Sequence, residues 1–106
     1  YAGDTTQATR AIAIGAYAGT VTQNQRAIAI GYNSGYTNQG QAAIAIGYYA
    51  GANNQHANSI VINASGSTVD SDGVSRCFIT PIRSVAITGL KALYYNTTTF
   101  EVTSAP

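Results

Sequence analysis

Isoleucine and alanine alternate in four short blocks that follow one another at intervals of sixteen residues. Residues 11–15, 27–31 and 43–47 read Ala-Ile-Ala-Ile-Gly, and residues 59–63 read Ser-Ile-Val-Ile-Asn. A fixed period of this size is the signature of a stacked repeat. Within a block the period is two, which predicts a β-strand with isoleucine on one face and small residues on the other. The blocks have no 3.6-residue apolar stripe, so the pattern excludes a helix.

Two further positions in each repeat predict where the chain turns. With Ala11 as position one, glycine or asparagine occupies position five (Gly15, Gly31, Gly47, Asn63) and glycine occupies position nine (Gly3, Gly19, Gly35, Gly51). Both residue types tolerate a positive φ, as a tight corner requires. Position thirteen is always glutamine (Gln7, Gln23, Gln39, Gln55), and stacked glutamines can form a hydrogen-bonded ladder. The sequence therefore predicts an all-β solenoid of sixteen-residue coils, each with an apolar strand and a more polar return strand.

Both faces of each Ala-Ile-Ala-Ile strand are apolar, and only one of them can fill the inside of a coil. The other face would form a stripe that is large for a soluble monomer. Because a buried isoleucine contributes about 1.5–3 kcal/mol, we expect self-association about a closed rotational axis, as a homotrimer. The pattern leaves open which face meets the axis. The isoleucines are predicted to form either the trimer interface or the coil core: Ile12, Ile14, Ile28, Ile30, Ile44, Ile46, Ile60 and Ile62.

The sixteen-residue register fails after Ile62, which divides the chain into a β-roll repeat domain (1–62) and an irregular β C-terminal cap or neck (63–106). A solenoid needs such a cap to cover its last coil. Residues 77–83 predict a strand whose Pro81 should sit at an edge or a bulge. Residues 93–95 and 100–103 flank Asn-Thr-Thr-Thr, which predicts a hairpin.

Composition narrows the classes of function. The 106 residues suffice for one domain, 45% are apolar and only 8% are charged, about a third of the usual charged fraction. The net charge of +1 gives no case for nucleic-acid binding, and no apolar run is long enough for membrane insertion as a helix. The single cysteine, Cys77, allows no internal disulfide, and its apolar neighbours predict a buried thiol. Residues 1–3 match positions seven to nine of the repeat, so we expect a segment of a longer rod.

The sequence predicts no catalytic residues, no metal site and no cofactor. His56 is the only histidine, and a solvated or ladder role on the return strand is favoured over a ligand role. Residues 70–73 begin like a calcium loop but lack the glutamate at its twelfth position, so we interpret them as a turn. Asp70 and Asp72 could form the carboxylate pair of a glycoside hydrolase, yet they lie in a turn without a cleft. We therefore expect the protein not to be an enzyme.

Tyrosines cluster at the two glycine corners of the repeat. Because an exposed tyrosine can stack on a sugar ring and donate a hydrogen bond, these side chains are candidate receptor contacts. The alternative is that they pack over neighbouring coils and stiffen the corners. The residues concerned are Tyr17, Tyr32, Tyr36, Tyr48 and Tyr49.

The repeat, Ala-Ile-Ala-Ile-Gly followed at most coils by a small or aromatic residue and Ala-Gly, resembles the head repeats of trimeric autotransporter adhesins of the YadA type. The resemblance covers residues 1–62 and implies a left-handed parallel β-roll with three chains side by side about a common axis. The sequence departs from those heads at Ala11, Ala27 and Ala43, where the bacterial repeats often have serine.

The C-terminal segment is similar to fibre and surface proteins of large DNA viruses of algae and protists and of some phages. The similarity lies in residues 59–64, 78–83 and 93–103. In those proteins the equivalent stretch precedes a self-cleaving intramolecular chaperone domain that helps three chains to trimerise; its catalytic residues are absent here. This resemblance implies a virion-surface, extracellular location.

These observations favour a trimeric viral fibre or spike segment, a structural rod for host-cell attachment with a host cell-surface glycan as its candidate partner. Two other functions stay open. An ice-binding solenoid would present a flat repetitive face, although position eleven (Thr5, Val21, Thr37, Asn53) lacks a regular threonine ladder. A carbohydrate-active β-solenoid enzyme would need a carboxylate cleft, which the sequence does not predict.

Overall fold

A computed structural model describes residues 1–86 and 88–106 of the chain. These residues form nine strands and no helix, and therefore include no helix that could cross a membrane. The strands are β1 (Ile12–Ile14), β2 (Val21–Gln23), β3 (Ile28–Ile30), β4 (Thr37–Gln39), β5 (Ile44–Gly47), β6 (Ile60–Asn63), β7 (Cys77–Thr80), β8 (Leu93–Tyr95) and β9 (Val102–Ser104). The predicted fold class is confirmed: parallel strands stack in a β-solenoid of about four turns with coils of about sixteen residues.

Two parallel sheets form the walls of the solenoid. The larger has the order β1-β3-β5-β6-β7, and the smaller pairs the return strands β2 and β4. Ile12 lies beside Ile28 and Ile28 beside Ile44, so each step along the sheet is one repeat. In the return sheet Gln23 lies beside Gln39. Identical residues therefore stack in columns, because each coil repeats the backbone path of the one before it.

Alanine, not isoleucine, fills the inside of the coils. Ala29, Ala45 and Val61 are fully buried, whereas the isoleucines on either side of them point outward. The interior is narrow: a Cβ placed on Gly35 would lie 2.7 Å from the side chain of Gln39. Because the isoleucines point outward, the coil-core alternative for these eight residues does not hold. Their place in a trimer interface stays a prediction.

The predicted glutamine ladder lies inside the coils, and one of its side-chain bonds is present. Gln23, Gln39 and Gln55 are at most 1% exposed. The Nε2 of Gln39 donates to Oε1 of Gln55 at 3.0 Å and to the carbonyl oxygen of Ile28 at 2.7 Å. Gln23 and Gln55 donate in the same way to the carbonyls of Ile12 and Ile44. The side-chain bond from Gln39 to Gln55 links two coils, whereas among the described residues the Oε1 atoms of Gln23 and Gln39 have no hydrogen-bond partner. The bonds to the carbonyls join the return side of each coil to the isoleucine strand.

The solenoid continues beyond residue 62, where the sequence placed the end of the repeat domain. β7 pairs in parallel with β6, and Ile60 lies beside Cys77, a step of seventeen residues. The inner column reads Ala13, Ala29, Ala45, Val61 and Phe78, so the interior side chains grow towards β7. Residues 64–80 thus form a further coil, one residue longer than the others.

Cys77 is exposed, which corrects the prediction of a buried thiol. The parallel register places it in the column of Ile60, and that column points away from the coil interior. Its apolar neighbour Phe78 takes the inward position instead. Pro81 follows the last residue of β7, the edge strand of the sheet, as predicted.

The C-terminal hairpin is confirmed. β8 and β9 are antiparallel, with Tyr95 beside Val102. The Oδ1 of Asn96 accepts hydrogen bonds from the backbone N–H groups of Thr98 and Thr99, both at 2.9 Å, which closes the turn. In the C-terminal segment, which comprises the hairpin and the chain from residue 81 that leads to it, several large apolar side chains are exposed: Ile82, Val85, Leu90, Leu93, Tyr94, Tyr95, Phe100 and Val102.

Candidate functional site

The corner between positions five and nine is built by glycine. Gly31, at position five, has a φ of 123°, and a Cβ there would lie 2.7 Å from the carbonyl oxygen of Gly47 in the next coil. An L side chain would be strained by this φ and would also push the coils apart. Each repeat therefore turns at the same place, and the residues between the two glycines are presented at one edge of the solenoid.

Four of the five tyrosines stand in two neighbouring columns along this edge, and Tyr36 follows the second glycine, at position ten. Position six carries Tyr32 and Tyr48, while position seven carries Tyr17, Asn33 and Tyr49, all three with φ between 52° and 60°. The backbone N–H of Tyr49 donates to the carbonyl oxygen of Tyr32 at 2.9 Å. Because this bond crosses from one coil to the next, the stacking of the backbone sets the spacing of the rings.

The five tyrosine rings are in contact with one another. Tyr32 and Tyr48 are stacked, with centroids 5.8 Å apart and planes 15° apart. Tyr17 meets Tyr32 edge-on at 5.9 Å and Tyr36 at 6.4 Å, and Tyr48 meets Tyr49 at 4.6 Å. We call this set (Tyr17, Tyr32, Tyr36, Tyr48 and Tyr49) the tyrosine ridge. The structure thus brings together all five tyrosines that the sequence singled out.

The ridge is accessible to solvent. Tyr17, Tyr32 and Tyr48 are 41%, 43% and 48% exposed, while the other two tyrosines are half-buried. A shallow depression of about 390 Å³ opens between the rings, lined by Tyr17, Tyr32, Asn33 and Tyr36. The tyrosines therefore do pack against one another across neighbouring coils, as the alternative to receptor contact required. Even so, Tyr17, Tyr32 and Tyr48 each keep more than two fifths of their surface exposed to solvent.

The cluster also tunes the acidity of its central member. Tyr49 raises the pKa of the Tyr32 hydroxyl above its ordinary value, chiefly because two neighbouring phenolates would repel each other. Partial desolvation and the repulsion from Tyr17 and Tyr48 act in the same direction. Tyr32 therefore keeps its proton at neutral pH and remains a hydrogen-bond donor.

The carboxylates considered for catalysis make structural contacts. Asp70 accepts hydrogen bonds at 3.0 Å from the backbone N–H and the side-chain amide of Asn53, which link two coils. Asp72 forms an ion pair with Arg76 at 2.7 Å, and this bond holds the pKa of the Asp72 carboxyl below its usual range. Asp70 thus stabilises a contact between two coils, and Asp72 stabilises a turn.

His56 forms its hydrogen bonds with a serine. Its backbone N–H donates to Oγ of Ser71 at 2.8 Å, and its Nδ1 lies 3.0 Å from the same oxygen. Ser71 itself is buried. Across residues 1–86 and 88–106, no group of three histidine, cysteine, aspartate or glutamate side chains could hold a metal ion.

A second candidate surface is the outward side of the five-stranded sheet. We call it the isoleucine face: the eight isoleucines of the repeat together with Cys77 and Ile79, in two columns of five residues. Sequence reasoning missed Cys77 and Ile79, although aligning residues 77–80 with residues 60–63 would have revealed them. Ile14, at the edge strand, is 57% exposed, and Ile46, in the middle, is still 37% exposed.

The C-terminal hairpin lies near one end of the isoleucine face. A depression of about 610 Å³ separates them, lined on the solenoid by Ile60 and Cys77 and on the hairpin by Tyr95, Phe100 and Val102. Asn58, Ser75 and Arg76 complete its wall. Apolar side chains of the hairpin and of the face therefore line the same depression.

Comparison with known proteins returned no match to a family model, a curated protein or a solved structure.

Proposed function

We propose that this chain is a segment of a trimeric viral fibre, a rigid rod that serves attachment to a host cell. The observation that carries the proposal is the isoleucine face. Its two columns present aliphatic side chains to solvent over five strands, and an apolar patch of this extent marks an interaction surface. Three copies around an axis would cover the face without leaving a further copy to add.

The total exposed surface supports assembly. The chain exposes 6704 Å². A compact monomer of its 10.9 kDa mass would expose about 5,600 Å². The difference, about a fifth, includes the isoleucine face and the apolar residues of the C-terminal segment. Covering these surfaces in a trimer would supply the burial that a single thin solenoid lacks.

The shape of the chain suits a rod. Its extents are 49 × 31 × 21 Å, and a coil contacts only the coils next to it in the stack. The glutamine ladder and the inter-coil backbone bonds resist bending. A rod that carries three copies of a binding surface gains avidity from weak individual contacts, which is what host attachment requires. The resemblance of the C-terminal segment to viral fibre proteins supplies the viral part of the proposal.

Retention on cells tests attachment. Fluorescently labelled protein would be incubated with unicellular algae, protists and bacteria, alongside the Ile46→Asp variant, which places a charge on the isoleucine face. We expect retention on at least one of these cell classes, with retention of the variant at least about tenfold lower because avidity is lost. Equal retention of both proteins, or no retention on any class, would contradict the proposed function.

A further inference from the structure

We propose that the tyrosine ridge is a binding site for a neutral oligosaccharide. The inference deepens the attachment function proposed above and rests on it, and it assigns the contact to the depression between Tyr17, Tyr32, Asn33 and Tyr36. The site shares no residue with the isoleucine face.

The ring geometry provides stacking surfaces for sugars. Tyr17 stands at 90° to Tyr32 and at 80° to Tyr36, so the depression has aromatic walls that face in different directions. A pyranose presents apolar C–H groups on its faces and hydroxyls around its rim. It can therefore lay one face on a ring while its rim reaches the polar atoms nearby. Tyrosine suits this contact because an apolar ring carries a polar tip.

Polar groups converge on the same depression. The Asn33 carboxamide offers two N–H donors and one carbonyl acceptor, and each tyrosine hydroxyl can both donate and accept. Asn33 stands in the same column as Tyr17 and Tyr49, with a φ of 53°, so the corner backbone fixes where its side chain begins. A few placed polar groups on an aromatic wall are the usual composition of a small-molecule site.

The lining predicts that the sugar is uncharged. All four residues around the depression are neutral. A sialylated or sulfated glycan would need an arginine or lysine to pair with its anionic group, because such charge-assisted bonds carry anion recognition. A neutral hexose or N-acetylhexosamine oligomer needs only the hydrogen bonds and stacking that this site provides.

The length of the ridge favours an oligomer over a single sugar. Its tyrosines come from three successive coils, and parallel strands lie about 4.8 Å apart. Tyr48 and Tyr49 thus extend the aromatic surface past the depression along the solenoid. A ligand that continues along this line would contact more rings than a monosaccharide can, and longer oligomers of one sugar should bind more tightly.

Titration with defined sugars tests the site. Linear tetrasaccharides of glucose, galactose, mannose and N-acetylglucosamine, with their monosaccharides and a sialylated tetrasaccharide, would be titrated into the assembled protein by isothermal calorimetry. We expect at least one neutral tetrasaccharide to bind, more tightly than its monosaccharide and than the sialylated probe. Failure of all four neutral probes, or preference for the sialylated one, would overturn the proposal.

Matched variants locate the contact. Tyr32→Ala removes a ring from the depression, and Tyr94→Ala removes an exposed ring from the distant hairpin. We expect the first change to weaken binding at least about tenfold and the second to leave it unchanged. Equal effects of the two changes would overturn the assignment of the site.

Sedimentation of the same samples separates this inference from the proposed fibre. A trimer that binds none of the neutral probes contradicts the sugar site alone. A monomer that binds a neutral tetrasaccharide through Tyr32 contradicts the fibre assembly and leaves the sugar site supported. Each protein would be checked for its β-sheet circular dichroism, so that lost binding reflects a lost contact and not a lost fold.

Discussion

At the scale of single residues, the backbone explains why some side chains stand where they do. The glycine corners were predictable because glycine and positive φ go together. Other residues at positive φ gave no such signal: Tyr17, Arg26 and Ala42 have φ of 60°, 61° and 56°. None of these side chains favours a positive φ, so we infer that the stacking of the coils imposes it. Such residues store local strain that the surrounding hydrogen bonds hold in place.

A neighbouring pair of alanines tests this strain. Ala42→Gly relieves a left-handed backbone that costs an L residue roughly 1–2 kcal/mol. We therefore expect the free energy of unfolding to rise by about 1 kcal/mol. Ala43 is buried and is not among the residues with positive φ, so Ala43→Gly should destabilise by about 1 kcal/mol or more. Denaturant unfolding at one protomer concentration measures both, and changes of the same sign would contradict this account.

The buried glutamines make a second residue-scale prediction. Gln39→Leu keeps the approximate volume but removes the donor to the Ile28 carbonyl and to Oε1 of Gln55. A buried acceptor left without its donor costs about 1–3 kcal/mol, so we expect a loss of that size in unfolding free energy. The matched change, Gln41→Leu, alters an exposed glutamine two residues away and should cost less than about 0.5 kcal/mol. Equal losses would show that the ladder adds nothing to stability.

The tyrosine ridge gives a pH-dependent prediction. The pKa of Tyr32 is raised in the folded chain, so its contribution to stability is complete below the unfolded pKa of about 10 and is lost as pH rises through the folded value. We expect phenolate absorbance during alkaline titration to show a late component that Tyr32→Phe removes. The variant should also lose less stability than the parent at alkaline pH. An unchanged titration curve would contradict the described ring contacts.

At the scale of elements, the strands and their sixteen-residue step followed directly from the sequence, because the repeat is nearly identical in three blocks. The seventeen-residue step to β7 did not. Residues 77–80 share no residue type with the preceding blocks except isoleucine. The chain between the last block and these residues has no glutamine, and its glycines, Gly66 and Gly73, fall outside positions five and nine of the repeat. Phe78 fills the interior where Val61 and Ala45 stand in earlier coils.

The direction of the strand faces was also not fixed by the sequence. An alternating pattern states that alanine and isoleucine lie on opposite faces, but either face could have been internal. The width of the coil decides the matter, and that width depends on how closely the return strand approaches. In the coils of Gln23 and Gln39, the buried glutamines fill the space between the two strands, and the inner column there holds alanine. The candidate site was likewise predictable only in part. The clustering of the tyrosines followed from the repeat, whereas the depression between their rings could be located only in the folded structure.

Adjacent residues of β5 separate the two faces experimentally. Ala45 is fully buried, so Ala45→Asp places an unpaired charge inside the coil and should cost several kcal/mol, enough to unfold the solenoid. Ile46 points outward, so Ile46→Asp should abolish self-association while the β-sheet circular dichroism is retained. Sedimentation and circular dichroism on both variants test the assignment. If the Ile46 variant unfolded and the Ala45 variant stayed folded, the assignment of the inner and outer faces would be wrong.

At the scale of the whole molecule, the proposed trimer explains features that no single coil explains. Three features favour a partner that covers apolar surface. They are the isoleucine face, the exposed apolar residues of the C-terminal segment and the large total exposed surface. The tyrosine ridge lies at the corner of the coil and gives the assembly three equivalent contact surfaces. In the proposed trimer, the inner alanines and glutamines pack the interior of each solenoid and the outer isoleucines form the interface between the three chains. The tyrosines would contact the host cell.

Sedimentation equilibrium tests the central claim most directly. At micromolar protomer concentration, we expect one species with about three times the 10.9 kDa mass of the chain. The Ile46→Asp variant, measured alongside, should sediment at the mass of one chain. A parent protein that sediments as a folded single chain across this concentration range would contradict the account, because the isoleucine face would then be stable in water without a partner.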